Sequence, residues 1–200
     1  MNYIFDFGQV IVHFDLDYMT GAYIDNKADI DLAKDVIFDR LYWDRLDGGT
    51  IADSEVRQEI CRRLPERLHE SALLTYDNWF RNLPFIEGMP EIIRDLKARG
   101  DKVYLLSNIS ERFADEYKSV PPLCELLSLF DGLVFSAPIG LVKPHSDIFR
   151  HLLDTYSLSP EDCLFIDDRA DNIEGGEAVG IKGYLFDGDS ARLREFIFNA

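Results

Sequence analysis

Five short apolar runs constrain this chain more than any other feature. YIFDF at 3–7, KVYLLSN at 102–108, GLVFS at 132–136, CLFID at 163–167 and GYLF at 183–186 are rich in branched and aromatic residues. Runs that are apolar without alternation read as strands buried on both faces. Helical patterns separate the later ones. MPEIIRDLKARG at 89–100 ends on a C-terminal glycine, and SDIFRHLLDTYSL at 146–158 opens on a serine suited to cap it. Strands alternating with helices predict an α/β fold, a parallel sheet covered by helices on both faces.

Residues 15–84 interrupt that alternation. No strand pattern is found there; DSEVRQEICRRLPERL starts on the cap-like Asp53, LHESALLTYDNWFRNL spaces its apolar residues at helical intervals, and LDGGTIADS at 46–54 reads as a loop between two helices. The expected organisation is a core domain formed by 1–14 and 85–200, with an all-helical insert at 15–84. A chain of 200 residues is long enough for one core carrying such an insert.

Composition narrows the partners. Lys and Arg total 21 against 37 Asp and Glu, a formal charge of -16. The basic footprint of a nucleic-acid-binding protein is missing, and an anionic membrane surface is disfavoured for the same reason. No apolar run approaches the ~18 residues of a membrane span. Cys61, Cys124 and Cys163 are odd in number and far apart, which reads as reduced thiols outside any disulfide or zinc frame. With no basic leader before the first strand, a cytoplasmic protein is expected, monomeric or a weak homodimer. Any anionic ligand has to be drawn in by local cations or a metal.

In an open parallel sheet, ligands bind beyond the carboxyl ends of the strands. Asp6, Ser107, Lys143, Asp167 and Asp168 all stand at or just past such ends. Three carboxylates brought to one edge repel one another unless a cation joins them, and clustered oxygen ligands suit Mg2+. Lys143 adds a second positive charge, while Ser107 and Asn108 add a hydroxyl and an amide just before a helix, which Ser107 could also cap. The set describes a pocket for the phosphoryl group of a small substrate: a metal and a lysine to neutralise its oxygens, donors to orient it, and a carboxylate to attack phosphorus.

These residues, in this order, resemble the haloacid dehalogenase superfamily of phosphohydrolases. The resemblance runs through the whole chain: Asp6 after its strand, Ser107-Asn108, Lys143 before a proline and helix, and the acidic FIDDRADNIEGG segment. The YIFDFGQVIV opening and DDRADNIEGG look most like the subgroup containing bacterial alpha-D-glucose-1-phosphate phosphatases. The resemblance implies a Rossmann-like core with a helical cap, and an Asp6 nucleophile that forms an aspartyl-phosphate. It also implies Mg2+ held by the Asp6 carboxylate, the main-chain carbonyl of Gly8 and Asp168. Asp167 then falls behind the metal or is an alternative ligand, and Asn172 stands where relatives carry another acid.

Most phosphatases of that superfamily use D-x-D, in which the second aspartate protonates the leaving alcohol; here Gly8 takes its place. The glycine keeps a carbonyl for the metal and lets the chain turn sharply. Three explanations stay open: a leaving group that needs little help, a donor from elsewhere such as Gln9-ordered water, His13 or a cap residue, or a phosphate-binding protein with little catalysis. A metal-independent dehalogenase of the same fold would not need the Asp167-Asp168 pair. Asp171 and Asn172 read as cap and turn residues, Trp43 as core and Arg45 as surface, although either of the last two could face a substrate.

Overall fold

Each apolar run becomes a strand of one parallel sheet. The computed structural model describes residues 1–199, with β1 at Asn2–Phe5, β2 at Lys102–Ser107, β3 at Gly132–Phe135, β4 at Cys163–Asp167 and β5 at Lys182–Leu185. The strand order is β3-β2-β1-β4-β5, every neighbouring pair parallel. β1 therefore lies in the middle, and the chain crosses over on either side of it. That reversal creates a crevice at the carboxyl end of β1, between β2 and β4.

The expected first strand was longer than the observed one. Asp6 and Phe7 lie beyond the ladder, and only the Asp6 N–H continues it, donating to the Ile166 carbonyl at 2.9 Å.

Both faces of the sheet are buried, by different helices. Tyr3, Phe5, Val103, Leu105, Leu164 and Ile166 point to one side and join the largest apolar cluster. That side is covered by α6 (Met89–Arg99), α8 (Pro121–Leu127) and α12 (Ser190–Phe198), which bring Ile92, Leu96, Leu123 and Leu193 to the same cluster. Ile4, Tyr104, Leu106 and Phe165 point the other way, against α10 (Ser146–Tyr156) and α11 (Ala170–Glu177). Burial on both faces is why β1, β2 and β4 carry no polar alternation; β5, expected to be buried like them, is a partly exposed edge strand with Leu185 53% exposed. Two shorter helices, α7 (Glu111–Glu116) and α9 (Ser136–Ile139), follow β2 and β3.

Between β1 and α6 the chain forms helices: α1 (Leu16–Gly21), α2 (Lys27–Ile37), α3 (Arg40–Asp47), α4 (Asp53–Arg63) and α5 (His69–Asn78). An aromatic cluster ties this insert to the sheet. Trp43 of α3 and Trp79 pack on each other and on Phe14, and Trp79 stacks on Phe113 of α7 at 5.8 Å.

Several local expectations are corrected. The loop expected at 46–54 is shorter, because α3 runs through Asp47 and α4 starts at Asp53. Asp53 caps nothing: its carboxylate accepts from Arg112 at 2.6 Å and from the Tyr76 hydroxyl at 2.9 Å. Ser146 is already inside α10, with His145 at the cap position and no side-chain cap bond. Ser110, not Ser107, accepts the capping bond of α7 from the Phe113 N–H. The glycine expectation holds, since Gly100 closes α6 in the left-handed conformation at φ 89°. Among the described residues no helix is long and apolar enough to cross a membrane.

Candidate active site

Asp6 is fixed from both sides of the chain. Behind it the backbone is in the sheet, and ahead of it Phe7 is buried against Phe113, ring centroids 4.8 Å apart. The sharp turn expected at Gly8 falls instead at Gln9, whose φ is 57°. The Gln9 N–H donates to the Val12 carbonyl at 2.8 Å, and its side-chain amide pairs with both main-chain groups of Phe14. Gly8 itself has an ordinary φ, and a Cβ placed there would meet nothing nearer than Phe14 Cβ at 4.0 Å.

Lys143 joins two strand ends. Its Nζ lies 2.7 Å from Asp6 Oδ1 and 2.7 Å from Asp167 Oδ2, and its side chain is 1% exposed. Asn108 holds the lysine's backbone: its amide donates to the Lys143 carbonyl at 2.9 Å, and its Oδ1 accepts from the Lys143 N–H at 2.8 Å. The Asn108 amide, expected to reach a substrate, is thus engaged on the lysine. α11 presses on the same loop so closely that a Cβ at Gly175 would fall 2.3 Å from the Pro144 carbonyl. Only glycine permits that approach.

The adjacent acids differ. Asp167 is fully buried and accepts from Lys143, from Asn172 Nδ2 at 3.0 and 3.1 Å and from the Arg169 N–H at 2.9 Å. Asn172, expected in a turn, is a buried residue of α11 that serves Asp167. Asp171 pairs with Arg169 at 2.6 Å. Asp168 is half-buried and faces a cavity of about 450 Å3, which Asp6, Gly8, Ser107 and Lys143 also line.

The electrostatics leave this cluster short of positive charge. Burial pushes the Asp6 carboxyl upward, Lys143 pulls it back down, and Asp167 pushes it up again. At Asp168, burial and then the charge of Asp167 both act upward. Burial works against the Lys143 ammonium, but the carboxylates of Asp6 and Asp167 outweigh it and hold its pKa above the usual lysine value. Three carboxylates thus face one ammonium, and one oxygen from each of Asp6, Asp167 and Asp168 lies within 4.8 Å of the others. An all-oxygen set with no histidine or thiol, in negative excess, fits a hard divalent cation such as Mg2+.

The insert closes the other side of the cavity with α3, through Arg40, Trp43, Asp44 and Asp47. Trp43 thus serves both expectations, as a buried residue and as a cavity wall. Arg45 does not reach the cavity; its guanidinium donates to the Thr50 carbonyl at 3.4 Å. His13 borders a separate depression with Asp15 and Tyr18. Arg40, Asp44 and Asp47 had no signal in the sequence beyond the last one's place just before the Gly48-Gly49 pair.

The sequence matches the haloacid dehalogenase-like hydrolases over residues 4–180. The chain belongs to this family. As such it is a hydrolase, and its relatives include phosphatases. D-ribitol-5-phosphate phosphatase of Bacteroides thetaiotaomicron is 29% identical over 199 residues, covering 92% of this chain and 90% of that protein. Sesquiterpene phosphatase astK of Aspergillus oryzae is 32% identical over 95 residues, a match spanning 48% of this chain and 47% of that one. The fold matches a haloacid dehalogenase family enzyme of Bacteroides thetaiotaomicron, solved as an Asp-to-Ala mutant with magnesium and inorganic phosphate. That structure has a TM-score of 0.71 and 18% identity, covering 96% of this chain and 97% of that one.

Proposed function

We propose that this hydrolase is a magnesium-dependent phosphatase of small phosphorylated metabolites of the sugar or polyol phosphate class, acting through an aspartyl-phosphate on Asp6. The observation that carries the reading is the placement of Asp6: a carboxylate at the central switch point of the sheet, held by a buried lysine and opening on a cavity sized for a small metabolite. The D-ribitol-5-phosphate phosphatase relative, matched nearly end to end, supports a polyol or sugar ester over a larger substrate.

The ion would be held by the Asp6 and Asp168 carboxylates and the Gly8 carbonyl, with Asp167 behind them as the partner of Lys143 and Asn172. Bound there, it supplies charge neutralisation for the phosphoryl oxygens. Lys143 does the same from the opposite side while aiming the second Asp6 oxygen, and the Ser107 hydroxyl orients the phosphoryl group. Asp6 attacks phosphorus in line, the ester oxygen departs, and water later releases phosphate from Asp6. Arg40 and Trp43 contact the part of the substrate that lies beyond the phosphate, and the insert keeps bulk water out.

The test is phosphate release from a panel of sugar phosphates, polyol phosphates and acetyl phosphate, with Mg2+ and with chelator. Turnover is expected with metal only, and Asp6→Asn lowers it by at least ~1,000-fold. Unchanged turnover in that variant would remove Asp6 as nucleophile. No release from any ester by the wild type would leave a phosphate-binding protein.

A further inference from the structure

Two carboxylates of the insert line the cavity, and their surroundings differ. Asp44 is exposed and pairs with Arg40 at 2.8 Å. Asp47, one turn on, is buried at 9% exposure, and among the described residues nothing donates to its carboxylate. The residue is mostly buried while its carboxylate oxygens stay accessible from the cavity, so the carboxyl is partly desolvated, has no protein donor and is open to a ligand there.

The backbone holds Asp47 in place. Its carbonyl accepts from Ser136 Oγ at 2.5 Å, and the same hydroxyl accepts from the Ile109 N–H at 2.8 Å. The end of α3 is thereby fixed to the loop after β2 and to the start of α9. Gly49 makes this approach possible: its φ is 66°, and a Cβ there would stand 2.5 Å from the Ala137 carbonyl. Asp47 is therefore set against the strand ends by main-chain contacts and not by a swinging side chain.

We propose that Asp47 is the general acid of the phosphoryl transfer, supplying from the insert the proton that Gly8 cannot. The assignment rests on the aspartyl-phosphate reading of the site. In-line attack by Asp6 turns the leaving oxygen away from Asp6, toward the side of the cavity that α3 covers. As the Asp6–phosphorus bond forms and the phosphorus–oxygen ester bond breaks, the departing electron pair stays on the alkoxide oxygen. That oxygen takes the Asp47 proton and leaves as the alcohol. The Asp47 carboxylate then removes a proton from water, whose oxygen attacks phosphorus. The Asp6–phosphorus bond breaks with its pair returning to Asp6, hydrogen phosphate departs, and Asp47 is protonated again.

Its surroundings favour the protonated form needed at the start. Burial pushes the Asp47 carboxyl up to about 7; Arg40 pulls it down, Asp44 and Asp6 push it up, and Lys143 pulls it down. A donor with a pKa near the working pH is the effective kind.

The experiment is single-turnover phosphorylation of the enzyme by a series from p-nitrophenyl phosphate to simple alkyl phosphates, comparing wild type, Asp47→Asn and Asp6→Asn. In Asp47→Asn the alkyl esters should lose ~100- to 10,000-fold, while p-nitrophenyl phosphate, whose leaving group needs no proton, loses less than ~10-fold. The dependence on leaving group is indifferent to the fraction of variant that folds. An equal loss across the series, or no loss, would overturn the assignment. Phosphorylation surviving in Asp6→Asn would instead overturn the reading of the nucleophile.

Discussion

Lys143 is the residue on which the charge balance of the site depends. Its ammonium separates Asp6 from Asp167, and removing it leaves two buried carboxylates facing each other without a cation. Lys143→Met keeps the length of the side chain and deletes the charge. The variant should lose roughly 3–5 kcal/mol at neutral pH, read from urea unfolding. That loss should shrink in acid, because burial already favours a protonated Asp6. Gly8 shows the limit of reasoning at this scale. A glycine after a strand reads as a turn former, yet the turn is made at Gln9 and Gly8 has room for a side chain. Asp6, Ser107, Lys143, Asp167 and Asp168 could be picked out because each ends or follows an apolar run. Asp47 could not, since its place depends on where α3 docks, and no local pattern records that.

The strands were legible because short apolar runs rich in branched and aromatic residues are too brief for helices, whereas helix caps depend on competition from distant groups. Asp53 has the chemistry of a cap, but Arg112 and Tyr76 outbid the backbone of its own helix for the carboxylate. A comparable competition fastens the opposite end of the sheet. Asp131, just before β3, accepts from Lys97 of α6 at 2.5 Å and from Lys102 and the Val103 N–H of β2, both at 2.9 Å. Burial pushes its carboxyl up, but these donors outweigh burial and hold it down at about 2. The pKa is thus depressed on folding, so the stabilisation is complete above the unfolded value near 4 and is lost as pH falls through about 2. Asp131→Asn should cost on the order of 2 kcal/mol at pH 7, and the difference from wild type should fade in unfolding curves taken between about pH 4 and pH 2.

Across the whole molecule the charge is -16, while the proposed substrate is an anion. Approach therefore runs against the long-range field: Lys143, Arg40 and Arg169 at the cavity are each paired with an aspartate, so local reversal falls to the proposed metal. Salt screens the far charges before it touches the buried ones. The kcat/KM for a phosphate ester should rise, by no more than about tenfold, as ionic strength goes from ~0.01 to ~0.1 M, opposite to an enzyme that attracts its substrate. A flat or falling profile would mean that the field at the cavity mouth is already positive. The aromatic seam between insert and sheet has an optical consequence. The chain's two tryptophans, Trp43 and Trp79, stand 5.5 Å apart in that seam, and Trp43 also forms part of the cavity wall. Tryptophan fluorescence, excited selectively over the nine tyrosines, therefore comes entirely from the place where the insert meets the sheet, so a change in its emission reports on the seam and the cavity without an added label.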